Sequence, residues 1–301
     1  PTPFGYKVAL WLAPLLRHRN RLGELRPRLL VVQLGGAAGT LASLGEKGPE
    51  VREALATELG LGVPLGPWHA QRDALAEFSG WLSMVTGGLG KLALDVILMS
   101  QTEVGEVHES ADSELGGSSA MPQKRNPDVA ELARGKSGRL AGNLTTMITL
   151  LKGLPTGYNR DLQEDKEALF DTVDTLFNCL RAYADMMPAL QVKKDNMREA
   201  ARRGFSTATD LADYLVKKGM PFRDSHEVVG KAVGYGVAQQ KDLAEMSLQE
   251  LKQFSDIISD DVFEVLTLEG SVNARNHLGG TAPDQVRAAA GRARQKLAQR
   301  A

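Results

Sequence analysis

One stretch of this 301-residue chain combines groups that could hold an anion and move a proton. It runs Ser110-Ala111-Asp112-Ser113-Glu114-Leu115-Gly116-Gly117-Ser118-Ser119-Ala120-Met121-Pro122-Gln123-Lys124-Arg125-Asn126-Pro127-Asp128 and is neither apolar nor periodic. Glycine, serine and acidic residues predict a mobile loop. Asn126 is suited to cap a helix, Pro127 to its first position, and Asp128 to its dipole. The loop would then be hinged against a helix N-terminus, which favours anions, with Lys124 and Arg125 adding positive charge. A polycarboxylate would be held well there. A solvated loop that is merely basic at one end has the same composition. No histidine adjoins Ser118 in sequence to make a triad, so acyl transfer has little support. Arg72 beside Asp73 fits either a structural ion pair or a carboxylate clamp.

The elements that would position these groups read as helical nearly throughout. Leu75, Phe78, Leu82, Val85, Leu89, Leu92 and Val96 recur at helical spacing between about residues 70 and 100. A helix of about thirty residues reaches about 45 Å, which suits a long-helix bundle or an oligomer core. Further long helices are predicted from about Pro127 to Lys152 and from about Leu162 to Met187. Val8–Leu16 and Leu25–Leu44 are also helix-compatible, with a break near Arg26-Pro27. Gly35-Gly36-Ala37-Ala38-Gly39 would allow close helix packing there; neither it nor Gly87–Lys91 has phosphate-loop spacing. After about Lys193 the helices shorten. Ser247 with Glu250 forms a capping box, and Thr281-Ala282-Pro283 starts a last helix. The expectation is an all-α fold of two domains. Residues 1–192 form a long-helix domain with the loop at 110–127, and 193–301 a smaller helical domain.

Composition excludes several classes. Lysine plus arginine (36) balances aspartate plus glutamate (37), so nothing points to nucleic acid. Cys179 is the only cysteine, in an apolar helical stretch; a buried thiol in a reducing, cytoplasmic compartment follows, without disulfides. No apolar run is expected to reach membrane-spanning length. His18 and His108 read as surface helix residues, His69 as part of a helix start, His226 as following Arg223-Asp224-Ser225, and His277 as part of a glycine-bounded turn. No pair has metal-ligand spacing, so neither metal nor cofactor is expected. The opening Pro1-Thr2-Pro3-Phe4 is neither a methionine start nor a signal peptide, and suggests a processed or fragmentary chain.

Gly117-Ser118-Ser119-Ala120-Met121-Pro122-Gln123-Lys124-Arg125-Asn126-Pro127 resembles the signature loop of the fumarase/aspartase superfamily. Gln101-Thr102-Glu103-Val104-Gly105-Glu106-Val107 resembles the helix end that leads into it. The resemblance implies a long-helix bundle fold and β-elimination. Ser118, deprotonated, would take a proton from a carbon beside a carboxylate. Lys124 and Asn126 would stabilise the negative charge, and Glu131 would position Lys124. A free serine hydroxyl is a very weak base, so its alkoxide needs cations, backbone N–H donors and exclusion of water.

From about residue 117 onward the chain resembles argininosuccinate lyases. The match runs through Leu154-Pro155-Thr156-Gly157-Tyr158-Asn159-Arg160-Asp161-Leu162-Gln163-Glu164-Asp165-Lys166-Glu167, then Thr207–Leu215, Pro221-Phe222-Arg223, Glu269–Val272 and Gly279–Pro283. It implies that Tyr158, Gln163 and Lys166 hold substrate, with Ser119 and Gln123 also placed there; Arg72, read as a carboxylate clamp, would join them. Residues 1 to about 110 resemble 3-carboxy-cis,cis-muconate cycloisomerases, through Lys7–Arg19, Leu29–Thr40 and Pro67–Asp73. The chain therefore reads as a hybrid joined near the loop. The histidine motifs of these families fall before the proline matched by Pro1, so this chain alone is expected to lack part of the active site. Three functions follow. The leading one is a carbon–nitrogen lyase converting argininosuccinate to arginine and fumarate, as a homotetramer with shared sites. The others are a cycloisomerase and a non-catalytic scaffold like the lens crystallins that resemble this lyase.

Overall fold

A computed structural model of the chain describes residues 1–109 and 117–299. It is built of helices: α1 (Phe4–Leu29), α2 (Gly48–Leu59), α3 (Asp73–Ser100), α4 (Asp128–Gly153), α5 (Glu164–Ala189), α6 (Lys194–Arg202), α7 (Ala208–Lys217), α8 (Phe222–Gln239), α9 (Leu248–Lys252), α10 (Val262–Leu266), α11 (Leu268–Ala274) and α12 (Pro283–Ala298). The regular strands among the described residues are the two-residue pair β1 (Val107–His108) and β2 (Gln191–Val192), antiparallel with Val107 opposite Val192. The chain divides into two compact units: Ala13–Val192, and Pro1–Leu12 with Lys193–Ala301.

In the first unit α3, α4 and α5 pack together. Leu82, Val85, Leu89, Leu92 and Val96, one face of α3, are buried; Leu140 and Met147 of α4 and Leu176, Cys179, Tyr183 and Met186 of α5 are buried too. The Tyr183 hydroxyl donates to Leu89 O at 2.9 Å, and burial pushes its pKa up. Burial also raises the Cys179 thiol, so it stays protonated and unreactive. The opposite faces of α4 and α5 carry exposed Leu132, Ile148, Phe170, Val173, Phe177 and Leu180.

The second unit has its own core: Leu211, Tyr214 and Leu215 of α7, Val229 and Ala232 of α8, then Leu243, Met246, Leu251, Ile258, Val262 and Leu266. Ser247 and Glu250 form the expected capping box at α9, and Asp242 with Glu245 forms another just before it.

Five local expectations are corrected. α1 is continuous through Pro14 and Pro27, and ends at Leu29. Pro27 removes one i→i−4 bond, but it stands in the last turn, where little helix remains beyond it to be disrupted. Gly35–Gly39 is not helical. Gly36 (φ 71°) and Gly39 (φ 82°) adopt left-handed backbone that a helix does not contain, and a Cβ on Gly39 would meet Pro67 at 2.7 Å. His18 is buried in α1, with its carbonyl accepting from the Trp81 indole at 2.9 Å; desolvation first, then Arg21 and Arg17, lower its pKa. His108 lies in β1, not on a helix. α3 is long and apolar enough to span a membrane by length and composition, though here its apolar face forms the core of the unit.

Candidate active site

The described part of the loop is a short hairpin closed by an antiparallel bridge between Gly117 and Arg125. Pro122, with Met121, Gln123, Lys124 and Arg125, forms its exposed tip. Residues 110–116, the first part of the expected loop, lie outside the described residues. Ser118 turns its side chain back on its own backbone: Oγ accepts from Ala120 N–H at 3.3 Å and Met121 N–H at 3.1 Å. Backbone donors on a hydroxyl oxygen favour its deprotonated form, which is what a serine base requires. Ser119 makes no such turn and is exposed, like Gln123 and Lys124.

Asn126 does not cap α4. The helix starts at Asp128, with no side-chain cap from the residues preceding it. The cap comes from before the loop: Glu109 Oε2 accepts from Val129 N–H at 3.0 Å and Oε1 from Ala130 N–H at 2.7 Å. Burial raises the Glu109 pKa, the two backbone bonds pull it down, and Asp128 and Glu131 push it up again. Glu109, with His108, Arg125, Asn126, Pro127, Val129 and the end of α5 around Asp185, lines a cavity of about 260 Å³. Glu131 is exposed one residue beyond the capped pair.

The remaining candidates gather elsewhere. Asp165, 2% exposed, faces Arg72 Nε at 3.1 Å from Oδ2 and Lys166 Nζ at 3.1 Å from Oδ1. Lys166 Nζ also donates to Leu162 O at 2.9 Å. Arg72 is itself buried, lies over the Trp68 ring at 5.3 Å, and donates to Gln33 Oε1 at 3.4 Å. Gln33 bonds His69 Nδ1, and His69 Nε2 bonds Gly36 O. A cleft of about 410 Å³ brings together Gln33, Gly35, Gly36, His69 and the exposed Tyr158, whose N–H donates to Ala37 O at 3.2 Å. Gln163 is exposed at the start of α5.

Two groups of candidates therefore form, Ser118 to Glu131 and Arg72 with Tyr158 to Lys166. They flank opposite ends of α4, whose 26 residues span about 39 Å. They do not meet within one chain. Sequence reasoning missed Glu109, Asp165 and Gln33. Each is polar in a quoted or neighbouring run, but its partner lies far away in sequence or sits beneath another element. Among the described residues no three His, Cys, Asp or Glu side chains gather to hold a metal.

A long-helix bundle with a serine-bearing hairpin at the start of α4 is the arrangement that comparison with known proteins finds in lyases. A family model described as lyase matches residues 1–142, and one described as argininosuccinate lyase C-terminal matches residues 205–273. The argininosuccinate lyase of Chromohalobacter salexigens is 52% identical over 301 residues, covering 99% of this chain and 63% of that protein. That of Azotobacter vinelandii is 54% identical over 303 residues, covering 100% of this chain and 64% of that protein. The 3-carboxy-cis,cis-muconate lactonizing enzyme of Pseudomonas putida superposes with a TM-score of 0.80 at 32% identity, covering 99% of this chain and 64% of that one. A fumarate lyase of Mesorhizobium sp. BNC1 superposes at 0.79 with 32% identity, covering 97% and 64%. These likenesses, over 97–100% of the chain, support the fumarase/aspartase superfamily. It spans 63–64% of the length of these curated lyases.

Proposed function

We propose that this chain carries the loop and bundle of an argininosuccinate lyase, which cleaves argininosuccinate to arginine and fumarate. The observation that carries the reading is 52–54% identity to argininosuccinate lyases over 99–100% of the chain. The Ser118 turn supplies chemistry to match. Ser118, its alkoxide favoured by the Ala120 and Met121 amides, removes a proton from the carbon beside a substrate carboxylate. The carbanion is held as an enolate by Lys124 and Asn126, with Glu131 positioning Lys124. Its electron pair then forms the fumarate double bond as the C–N bond breaks, and the guanidinium, protonated in the substrate, leaves as the neutral guanidine of arginine and takes up a proton from solvent. Tyr158, Gln163 and Lys166 hold substrate, with Ser119 and Gln123 beside the loop. Arg72 acts at the substrate through Asp165 and Lys166, because its own guanidinium is buried. No metal or organic cofactor enters this scheme.

A homotetramer in the cytoplasm completes the proposal. The two groups of residues stand at opposite ends of α4, so a full site needs segments from more than one subunit. The exposed apolar residues of α4 and α5 offer the surface for it. A second reading, the muconate cycloisomerase, is favoured by the 0.80 superposition on the lactonizing enzyme and by the resemblance of residues 1 to about 110. Fumarate absorbance on mixing with argininosuccinate, run beside a carboxymuconate lactonisation assay, separates the two. Lactonisation without fumarate release would overturn the lyase. Light scattering that finds a well-behaved monomer at micromolar concentration would overturn the shared site.

A further inference from the structure

A helix that starts without a cap of its own exposes several backbone N–H groups. At α4 two of these, on Val129 and Ala130, are bound by one carboxylate from outside the helix, Glu109, at 3.0 and 2.7 Å. The two amides lie between Asn126 and Glu131. Glu109 follows directly on β1, where Val107 and His108 pair with Val192 and Gln191 at the end of α5. The carboxylate thus ties the first turn of α4 to a fixed point on the bundle. It also fills the donors at which an anionic substrate would otherwise dock.

We propose that Glu109 is a positioning residue for the elimination. It holds the turn that carries Asn126 and Glu131 in register with the loop serine, and it directs substrate carboxylates away from the α4 N-terminus toward Lys124. This rests on the lyase reading for its kinetic consequence but not for its structural one. His108 on β1, Arg125 and Asn126 on the hairpin and Asp185 on α5 line the cavity with Glu109, and the charges of Asp128 and Glu131 on α4 also act on its carboxylate. The carboxylate therefore sits among both signs of charge, and its two backbone bonds orient it.

The test compares E109A, E109Q and E109D with the unaltered chain, following kcat, KM, melting and hydrogen exchange of the peptide that contains residues 129 and 130. Loss of a cap bond and a misplaced turn should lower kcat in E109A by about tenfold or more, with KM within about threefold. Exchange at 129 and 130 should quicken by about fivefold, which is what a lost cap of about 1 kcal/mol gives. E109Q keeps one acceptor oxygen and should stay within about threefold of unaltered kcat. E109D, one methylene short of the two amides, should resemble E109A while melting normally. Unaltered kcat in E109D, or equal kcat losses in E109Q and E109A, would overturn the proposal. If E109A fails to fold, E109D and E109Q decide alone. If neither the variants nor the unaltered protein, all in full-length form, release fumarate, the lyase reading fails. Exchange at 129 and 130 then still decides whether Glu109 fixes the turn, and unchanged exchange in E109D overturns it.

Discussion

Replacing Lys166 by methionine removes a charge while keeping length and helical propensity, and the structure sets what each role would cost. Lys166 is 55% exposed on its side chain and lies 3.1 Å from Asp165 Oδ1. An exposed ion pair is worth about 0.2–1 kcal/mol, and Asp165 retains Arg72 at 3.1 Å once Lys166 is gone. The melting temperature should therefore fall by at most about 2–4 °C, the shift that about 1 kcal/mol produces in a unit of this size. A charge-assisted contact to a substrate carboxylate is worth about 1.5–3 kcal/mol, so its loss should cut kcat/KM by about ten- to a hundredfold. Arg72→Met is the control. Arg72 and Asp165 are 7% and 2% exposed, and removing one partner of a buried pair costs about 3–5 kcal/mol. It should lower melting severalfold more than Lys166→Met does. The assay is fumarate absorbance and thermal melting on one preparation of each variant of the full-length protein. Unaltered kcat/KM in Lys166→Met with a small melting shift would refute the substrate role and leave only the pair with Asp165. Equal melting losses in both variants would refute the burial argument.

Other predictions follow from the geometry. Ser118→Ala should remove turnover by a factor on the order of 10² or more, while a loop hydroxyl should change stability by at most about 0.5 kcal/mol; near-normal turnover would shift the base to Ser119. Gly270→Ala should destabilise the second unit by about 1–3 kcal/mol or more, because a Cβ would stand 1.7 Å from the Glu264 carbonyl oxygen; chemical denaturation gives the number. Lys241, then the Ser247 backbone and hydroxyl, pull the Glu250 pKa down to about 2 from its ordinary 4.5. A depressed carboxylate contributes stability above its ordinary pKa and loses it as pH falls through the depressed value. Glu250→Gln should therefore flatten the fall in stability between pH 4.5 and about 2, and melting curves across that range check it.

The order of the helices was legible because periodic burial is a local property. Apolar residues three and four apart share one face, so α3, α4 and α5 were outlined before their partners were known. The capping box at Ser247 and Glu250 was legible for the same reason: both partners lie within one turn. The signature loop was legible as a run of residue types, because glycines, serines and a Pro-bounded basic end cannot make a core element.

What escaped local reading depends on contacts between segments far apart. Gly35–Gly39 reads as a helical stretch on composition, yet Pro67 crowds it and its glycines leave the helical region. His18 reads as a surface residue, and only the packing of α1 under Trp81 buries it. Asn126 is a good cap by type, but a carboxylate twenty residues earlier reaches the α4 amides first. Lys166 could have paired with a neighbour one turn away; the buried Asp165 captures it instead, because Arg72 alone leaves an oxygen to fill. Most consequential is the length of α4. The sequence puts Ser118 and Lys166 one helix apart, but a helix is rigid and rises about 1.5 Å per residue. Residue types and periodicity thus determined which groups could do chemistry and that helices would carry them. The tertiary structure decided which groups meet, because rigid helices convert sequence distance into spatial distance and put the two halves of the candidate site at opposite ends of the bundle.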